Sequence, residues 1–303
     1  MSIDGMNDIN EKLSKKLKGI KFNEVLAPFT SFNIGGPAKF YYAAKNNKEI
    51  LNAIKTAKNF DINYFILGNG TNILISDSGF NGLVIKMENQ NILFDNEYVI
   101  AESGVKIQKL IRETISKNLT GLEYLMGIPG TIGGGVAGNV GTPTDWINKN
   151  IVEITIINGQ DEIEVVNKFS GNFSYRYSRF KYNNREVIIA VKFMLKMASQ
   201  TDIQKKVKKY IANRSHQPIN EACAGSIFKN PQNKKAWELI DQAGLRGKKM
   251  GGAMVSKDHA NFIINTGQAK ADDVVMLTSY IKQQVRDKFN IQLQEEIKYI
   301  GFE

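Results

Sequence analysis

The sequence predicts an α+β fold on three observations. Strand-like apolar runs dominate residues 30 to about 196, amphipathic helical periods interrupt them, and a short glycine turn joins one strand to the next instead of a strand to a helix. Before them, residues 1–29 form a short basic amphipathic segment with Ile9, Leu13 and Leu17 on one face, read as an arm packed on the main body. Strands are expected at 39–43, 64–67, 73–75, 82–86, 98–101, 152–157 and 187–195. One helix starts at Asn46, where Glu49 three residues on completes a capping signal, and carries Ile50, Leu51 and Ile54; another carries Ile107, Leu110, Ile111 and Ile115.

Past about residue 198 the composition shifts to a polar linker and a basic helix. On it Ile203, Val207 and Ile211 are expected to face inward, leaving Lys205, Lys206, Lys208 and Lys209 as a solvated face. A helix at about 236–243, a long one at 271–289 with Val274, Leu277, Ile281 and Val285 aligned, and a final strand at 297–300 follow. The expected organisation is an arm (1–29), a larger domain (30–197) and a second domain (198–303).

At 303 residues and 42% hydrophobic content the chain can bury two or three modest cores without staples. Its single cysteine, Cys223, excludes an intrachain disulfide framework, and His216 and His259 are too far apart for a metal motif, so a reducing compartment and no metal are expected. The N-terminus is polar through Lys18, without the apolar core of a signal peptide, and no stretch approaches a membrane span, which points to the cytoplasm. A net charge of +10 attracts anions generally. Nucleic acid is disfavoured, since neither interleaved aromatics nor a known module accompanies the lysines; a phosphate-bearing small substrate accounts for the charge equally well.

Two glycine turns stand out, Gly68-Asn69-Gly70-Thr71-Asn72 and the longer run from Gly127 to Gly141. Glycine lets backbone N–H groups approach a pyrophosphate, so the pair suggests main chain closing around a phosphate-rich cofactor, with ligand-free tight turns as the alternative. The longer run contains G-x-G-x-x-G at Gly133, Gly135 and Gly138, but a Pro-Gly turn precedes it and Gly141 and Pro143 follow in place of a helical apolar period, which argues against a dinucleotide fingerprint. No G-x-x-x-x-G-K-[ST] string occurs, so a P-loop is also unsupported.

Three further segments carry side chains with chemistry to offer. Tyr175-Arg176-Tyr177 sets a guanidinium between rings, able to grip a carboxylate bidentately, or else marks an exposed strand with alternating aromatics. Ser226 follows Ala224-Gly225, either as an ordinary turn serine or as a proton donor, and so weak an acid suits only a strongly basic, carbanion-like acceptor. Glu295-Glu296 precede a strand, where adjacent acids point to opposite faces, so at most one faces a site and solvated surface is the alternative. Asp258-His259 reads as structural.

In this order the pieces resemble the UDP-N-acetylenolpyruvoylglucosamine reductase family, flavoenzymes that complete UDP-N-acetylmuramate for peptidoglycan. The resemblance runs from Thr30-Ser31-Phe32-Asn33-Ile34-Gly35-Gly36-Pro37 through both glycine turns, Tyr175-Arg176-Tyr177-Ser178, Gly225-Ser226-Ile227-Phe228-Lys229-Asn230-Pro231 and Gly251-Gly252-Ala253 to Glu295-Glu296-Ile297, and the compact length is similar to the shorter type within the family. It implies an FAD-binding domain of the vanillyl-alcohol-oxidase type with noncovalent FAD, a C-terminal α+β substrate domain, and NADPH as co-substrate. Gly68, Asn69, Gly70, Thr71, Asn72, Gly130, Thr131, Gly134, Gly135 and Gly141 then fall at the cofactor. Arg176, Ser226 and Glu296 match the family's catalytic residues, and Tyr175, Arg214 and Asn230 match substrate-binding positions. The implied substrate is UDP-N-acetylglucosamine enolpyruvate, with hydride from the flavin, a proton from Ser226, and Arg176 and Glu296 stabilising the enolate. A flavin oxidase of the same fold and a basic nucleic-acid-binding protein are the competing readings, and the sequence leaves the oligomeric state open, a monomer included.

Overall fold

The computed structural model describes residues 3–183, 185–214, 216–218 and 220–302. The chain packs into two units. One takes residues up to Asn23, Phe40–Asn69 and Gly82–Asn213, and the other Glu24–Lys39, Gly70–Asn81 and everything from Arg214 on.

The first unit is built on an antiparallel five-stranded sheet, in the order Ile163–Asn167, Ile151–Ile157, Val187–Met194, Tyr98–Glu102, Ile92–Asp95. Alternation along Tyr98–Glu102 shows why it has one wet face: Val99 and Ala101 are fully buried, while Tyr98 and Ile100 are each 38% exposed. On the buried face Ile154, Val191 and Phe193 meet Ile107, Leu110 and Ile111 of the helix Ile107–Ser116, together with Ile132 and Val136.

A second core in this unit joins the helix Asn47–Asn59, through Ile50, Ala53, Ile54 and Ala57, to Phe40, Tyr42, Leu83 and Ile85 of the strands Pro37–Ala44 and Phe80–Met87. Those strands belong to a four-stranded sheet of order Lys21–Val25, Pro37–Ala44, Phe80–Met87, Tyr64–Leu67, the last pair parallel with Tyr64 opposite Leu83. The amphipathic N-terminal segment forms the helix Ile3–Lys16, and its Leu13 and the following Leu17 enter this core completely. Burying such a side chain contributes about 1.5–3 kcal/mol. Asn46 caps the Asn47–Asn59 helix as expected: its Oδ1 accepts from Glu49 N–H at 2.9 Å, and the Glu49 carboxylate accepts from Lys45 N–H at 2.7 Å.

The second unit holds an antiparallel sheet of order Cys223–Ser226, Phe262–Asn265, Ala253–Val255, Lys249–Met250. The helix Ala271–Phe289 buries Val274, Leu277, Ile281 and Val285 in the same cluster as Ile227, Phe228, Val255 and Ile263. The strand Lys298–Ile300 pairs in parallel with Ile73–Ile75.

Two expectations are corrected. The helix Gln200–Ala212 buries Ile203 and Val207 but leaves Ile211 52% exposed, because residues four apart drift about 40° round a helix at each step and the third has left the buried stripe. The longer glycine run contains a six-residue helix, Ile132–Ala137, capped by Thr131 and seated in the first unit's core through Ile132 and Val136, so tertiary packing overrides the poor helix propensity of glycine here. The residues before it, Glu123–Leu125, form a single 3₁₀ turn and no strand, so the dinucleotide-fingerprint context is still lacking.

Candidate active site

The glycine positions divide by what their surroundings demand. Gly70 sits at φ +63° against the backbone of Phe29 and Thr30, and its carbonyl accepts from Ser31 N–H at 3.0 Å, so packing alone requires glycine. Gly135 is pressed between Ile107 and Val140, where an added Cβ would stand 3.1 Å from each, and Gly141 is closed in by Trp146. Gly68 lies against Thr131, with a Cβ there 2.7 Å from the Thr131 Oγ1, so in the first unit the start of one glycine turn meets the middle of the other run. At Gly134 the nearest protein atom to a Cβ is that Thr131 Oγ1 at 3.5 Å, so packing does not explain this glycine and bare main chain is left open. Gly130 has φ +130° and accepts from Ile107 N–H at 3.0 Å.

Within the longer run the four consecutive amides of residues 132–135 are committed within the protein. Ile132 N–H donates to Val105, Gly133 N–H to Ser103, Gly134 N–H to Thr131 Oγ1 and Gly135 N–H to Thr131 O. What this stretch offers a ligand is therefore close backbone approach. Beneath the shorter turn the half-buried Lys86 donates its ammonium to the Gly68 carbonyl, and burial, with the neighbouring Lys106, holds its pKa below the usual lysine range.

Tyr175 and Arg176 are not on a strand. They are the two central residues of a tight turn closed by Ser174 N–H to Tyr177 O at 3.1 Å and Tyr177 N–H to Ser174 O at 3.2 Å. Arg176 takes φ +54°, a left-handed conformation that turns ordinarily give to Gly or Asn. The turn is held from both sides: Asn139 Nδ2 donates to Ser174 O at 2.8 Å, Ser178 Oγ to Ala137 O at 2.7 Å and Lys181 Nζ to Arg176 O at 3.1 Å. The Arg176 guanidinium reaches the Gly141 carbonyl at 3.4 Å and lies 5.7 Å from the Tyr175 ring centre, and Tyr175 in turn tilts against Trp146. A non-glycine side chain in a sparsely populated backbone region, braced by a network, is the pattern of a functional position.

Ser226 ends the strand Cys223–Ser226 and pairs with Phe262, after a register irregularity that Gly225 makes possible at φ +74°. Such a bulge re-aims the next side chain. The segment beyond it is tied to the acidic pair: Glu296 N–H donates to Ile227 O at 2.7 Å, and Lys229 N–H to Gln294 O at 2.8 Å. Glu295 is taken by Lys282 at 2.7 Å, whereas Glu296 is half-buried beside Asn72, whose Nδ2 donates to the Glu296 carbonyl at 3.3 Å. The second unit thus brings together Ser226, Glu296 and Asn72, and places Thr71 O about 4.0 Å from where a Cβ on Gly225 would be.

Asn230 has its Oδ1 committed to the N–H of Ala236, the first residue of the helix Ala236–Gln242. Arg214 is half-buried, with its carbonyl accepting from Gln217 N–H at 3.0 Å, and Asn69 lies in the shorter turn. Sequence reasoning missed Asn261, a buried side chain bonded to both main-chain polar groups of Phe228. The signal was a lone carboxamide inside the apolar run Ala260-Asn261-Phe262-Ile263. Among the described residues no cluster of three or more His, Cys, Asp or Glu could hold a metal ion, and no helix is long and apolar enough to cross a membrane.

Two domain families match the chain: an FAD binding domain over residues 38–167, and the UDP-N-acetylenolpyruvoylglucosamine reductase C-terminal domain over residues 217–300. The UDP-N-acetylenolpyruvoylglucosamine reductase of Carboxydothermus hydrogenoformans is 37% identical over 297 residues, 97% of this chain and 98% of that protein. That of Caldanaerobacter subterraneus subsp. tengcongensis is 35% identical over 96% of this chain and 97% of its own length. The crystal structure of the UDP-N-acetylenolpyruvylglucosamine reductase from Thermus caldophilus superposes with a TM-score of 0.81 at 29% identity, covering 92% of this chain and 98% of that one.

The first unit's residues fit a flavin dinucleotide: Gly134 is exposed, with only the Thr131 side chain beside it, and Gly68, whose carbonyl accepts from Lys86, lies directly against that same threonine, so both turns present main chain with little side-chain cover. The α+β architecture, the two matched domains and full-length identities of 35–37% agree, and the chain belongs to the UDP-N-acetylenolpyruvoylglucosamine reductase family.

Proposed function

We propose that this chain reduces the enolpyruvyl ether of UDP-N-acetylglucosamine to UDP-N-acetylmuramate, with NADPH as electron donor, for cytoplasmic synthesis of peptidoglycan precursor. FAD, held noncovalently, would supply the two-electron chemistry that links oxidation of the nicotinamide to reduction of the alkene at the carbon distal to the carboxylate. Ser226 protonates the carbon next to the carboxylate, where a hydroxyl is acid enough because the acceptor is an enolate carbon. Arg176 holds the substrate carboxylate and stabilises the charge that grows on it, a preorganised electrostatic role. Glu296, when protonated or through a bridging water, hydrogen-bonds the same group. Tyr175, Arg214 and Asn230 bind substrate. Gly68, Asn69, Gly70, Thr71, Asn72, Gly130, Thr131, Gly134, Gly135 and Gly141 line the cofactor.

The observation that carries this reading is the backbone bond from Glu296 N–H to Ile227 O at 2.7 Å, which joins the acid to the residue after the serine. A turn serine and a surface acid, each unremarkable alone, become neighbours on buried scaffolding. The test is purification followed by steady-state assay. The preparation is expected to be yellow, to release FAD on denaturation, and to oxidise NADPH only when the enolpyruvyl sugar nucleotide is added, giving a product heavier by two hydrogens. NADPH oxidation that ignores the sugar nucleotide and follows oxygen instead contradicts the reading.

A further inference from the structure

Asn261 is 4% exposed and spends its whole carboxamide on one residue: Phe228 N–H donates to its Oδ1 at 3.0 Å, and its Nδ2 donates to Phe228 O at 2.8 Å. Its own carbonyl accepts from Ile227 N–H at 2.9 Å, and Ile227 O accepts from Glu296 N–H at 2.7 Å. Ile227 is therefore gripped on both sides, by Asn261 and by Glu296, immediately after Ser226. Regular strand pairing ends at Ser226 opposite Phe262, so beyond it a side chain does the work a strand would do. The Asn261 N–H is fixed in turn by His259 Nδ1 at 3.3 Å, and His259 packs edge-on to Phe262 with ring centres 4.8 Å apart.

We propose that Asn261 is a positioning residue that sets Ser226 against Glu296 through Ile227 and Phe228. The inference rests on the reading of Ser226 as proton donor. Without the carboxamide the 226–228 segment keeps its covalent path but loses two of the bonds that stop it sliding, and proton delivery is sensitive to displacements of about 1 Å.

The test uses FAD-loaded protein with Asn261→Ala and the isosteric Asn261→Asp, which guards against failure of the alanine variant to fold. The two half-reactions are measured separately under anaerobic conditions. Bleaching by NADPH is expected at the wild-type rate, and reoxidation by the enolpyruvyl sugar nucleotide about 10- to 100-fold slower. In the Ser226→Ala background the same substitutions are expected to add no further loss, since coupled residues are non-additive. Amide hydrogen exchange at Ile227 and Glu296 is expected to quicken in the variants, with or without FAD, while the Ala271–Phe289 helix stays protected. Equal loss in both half-reactions, a full multiplicative loss on top of Ser226→Ala, or unchanged exchange at Ile227 overturns the proposal. If Ser226→Ala alone leaves reoxidation untouched, the proton-donor reading has failed and takes this inference with it; if it slows reoxidation and Asn261 acts independently, only the positioning role falls.

Discussion

Arg176 and Ser226 both depend on a residue in the left-handed backbone region, yet they place it differently. In the turn at Tyr175-Arg176 the arginine itself adopts φ +54°, whereas at the bulge before Ser226 the adjoining Gly225 takes φ +74° and the serine keeps its strand pairing. A left-handed L-residue costs on the order of 1–2 kcal/mol, and glycine almost nothing. The first unit therefore holds Arg176, the proposed grip on the substrate carboxylate, at the cost of local strain, met by bonds from Asn139, Ser178 and Lys181. The second unit avoids strain and spends buried hydrogen bonds, those of Asn261 and Glu296, on aim instead. One device, a positive φ, thus appears in two forms: strain tolerated at Arg176 itself, and strain avoided at the glycine before Ser226.

Chemistry at the two side chains gives the largest effects. Ser226→Ala is expected to accept electrons from NADPH normally but to slow flavin reoxidation by the enolpyruvyl sugar about 10²-fold or more, the scale of general acid catalysis. Equal slowing of both half-reactions, seen by stopped-flow absorbance, would point to damaged folding instead. Arg176→Lys retains charge but not the bidentate fork, and a loss of about 10-fold in substrate reduction is expected; steady-state turnover equal to wild type would remove Arg176 from the site.

Backbone substitutions then separate strained from unstrained aim. Gly225→Ala meets no clash, its nearest neighbour being Thr71 O at 4.0 Å, so the expected cost of about 1–2 kcal/mol is purely conformational and falls on Ser226 alignment. Arg176→Gly relieves the same conformation and is expected to leave stability within about 1 kcal/mol of wild type while abolishing substrate reduction. Chemical denaturation of both variants tests the contrast, and equal destabilisation would break it.

The smallest effect concerns pH. Burial, and then the charge of Arg246, hold the His259 pKa below 6.5, so the unfolded chain binds a proton that the folded one resists. The linked stability is complete above 6.5 and falls as pH drops from there towards the folded value. Protonation also removes the acceptor that fixes Asn261 N–H. Denaturation midpoints measured across that window are expected to decline for the wild type and to flatten in His259→Gln; parallel profiles would show that His259 contributes nothing.

Much of the fold was legible because its signals are local. The period of Val274, Leu277, Ile281 and Val285 gave the long helix, and Asn46 with Glu49 gave a helix start, since caps and amphipathic stripes are properties of a few neighbouring residues. The helix Ile132–Ala137 was not legible, because glycine carries no propensity for it and Ile107 and Val140 supply its packing from outside the segment. At the site the residue types were readable but their geometry was not. Neither the Tyr175-Arg176 turn nor the bulge at Gly225 leaves an unambiguous local pattern, and Asn261 bonds a residue 33 positions away. The demand for glycine also proved mixed, with Gly70 and Gly141 required by the protein's own backbone packing, Gly135 tight against side-chain methyls and Gly134 unconstrained by packing.

The most direct test of the account is anaerobic rapid mixing. Protein loaded with FAD and bleached by NADPH is mixed with UDP-N-acetylglucosamine enolpyruvate, and flavin absorbance is followed. Rapid recovery of the oxidised spectrum is expected with the sugar nucleotide, and slow recovery with oxygen alone. A bleached flavin that stays bleached with the sugar nucleotide, in correctly folded protein, would contradict it.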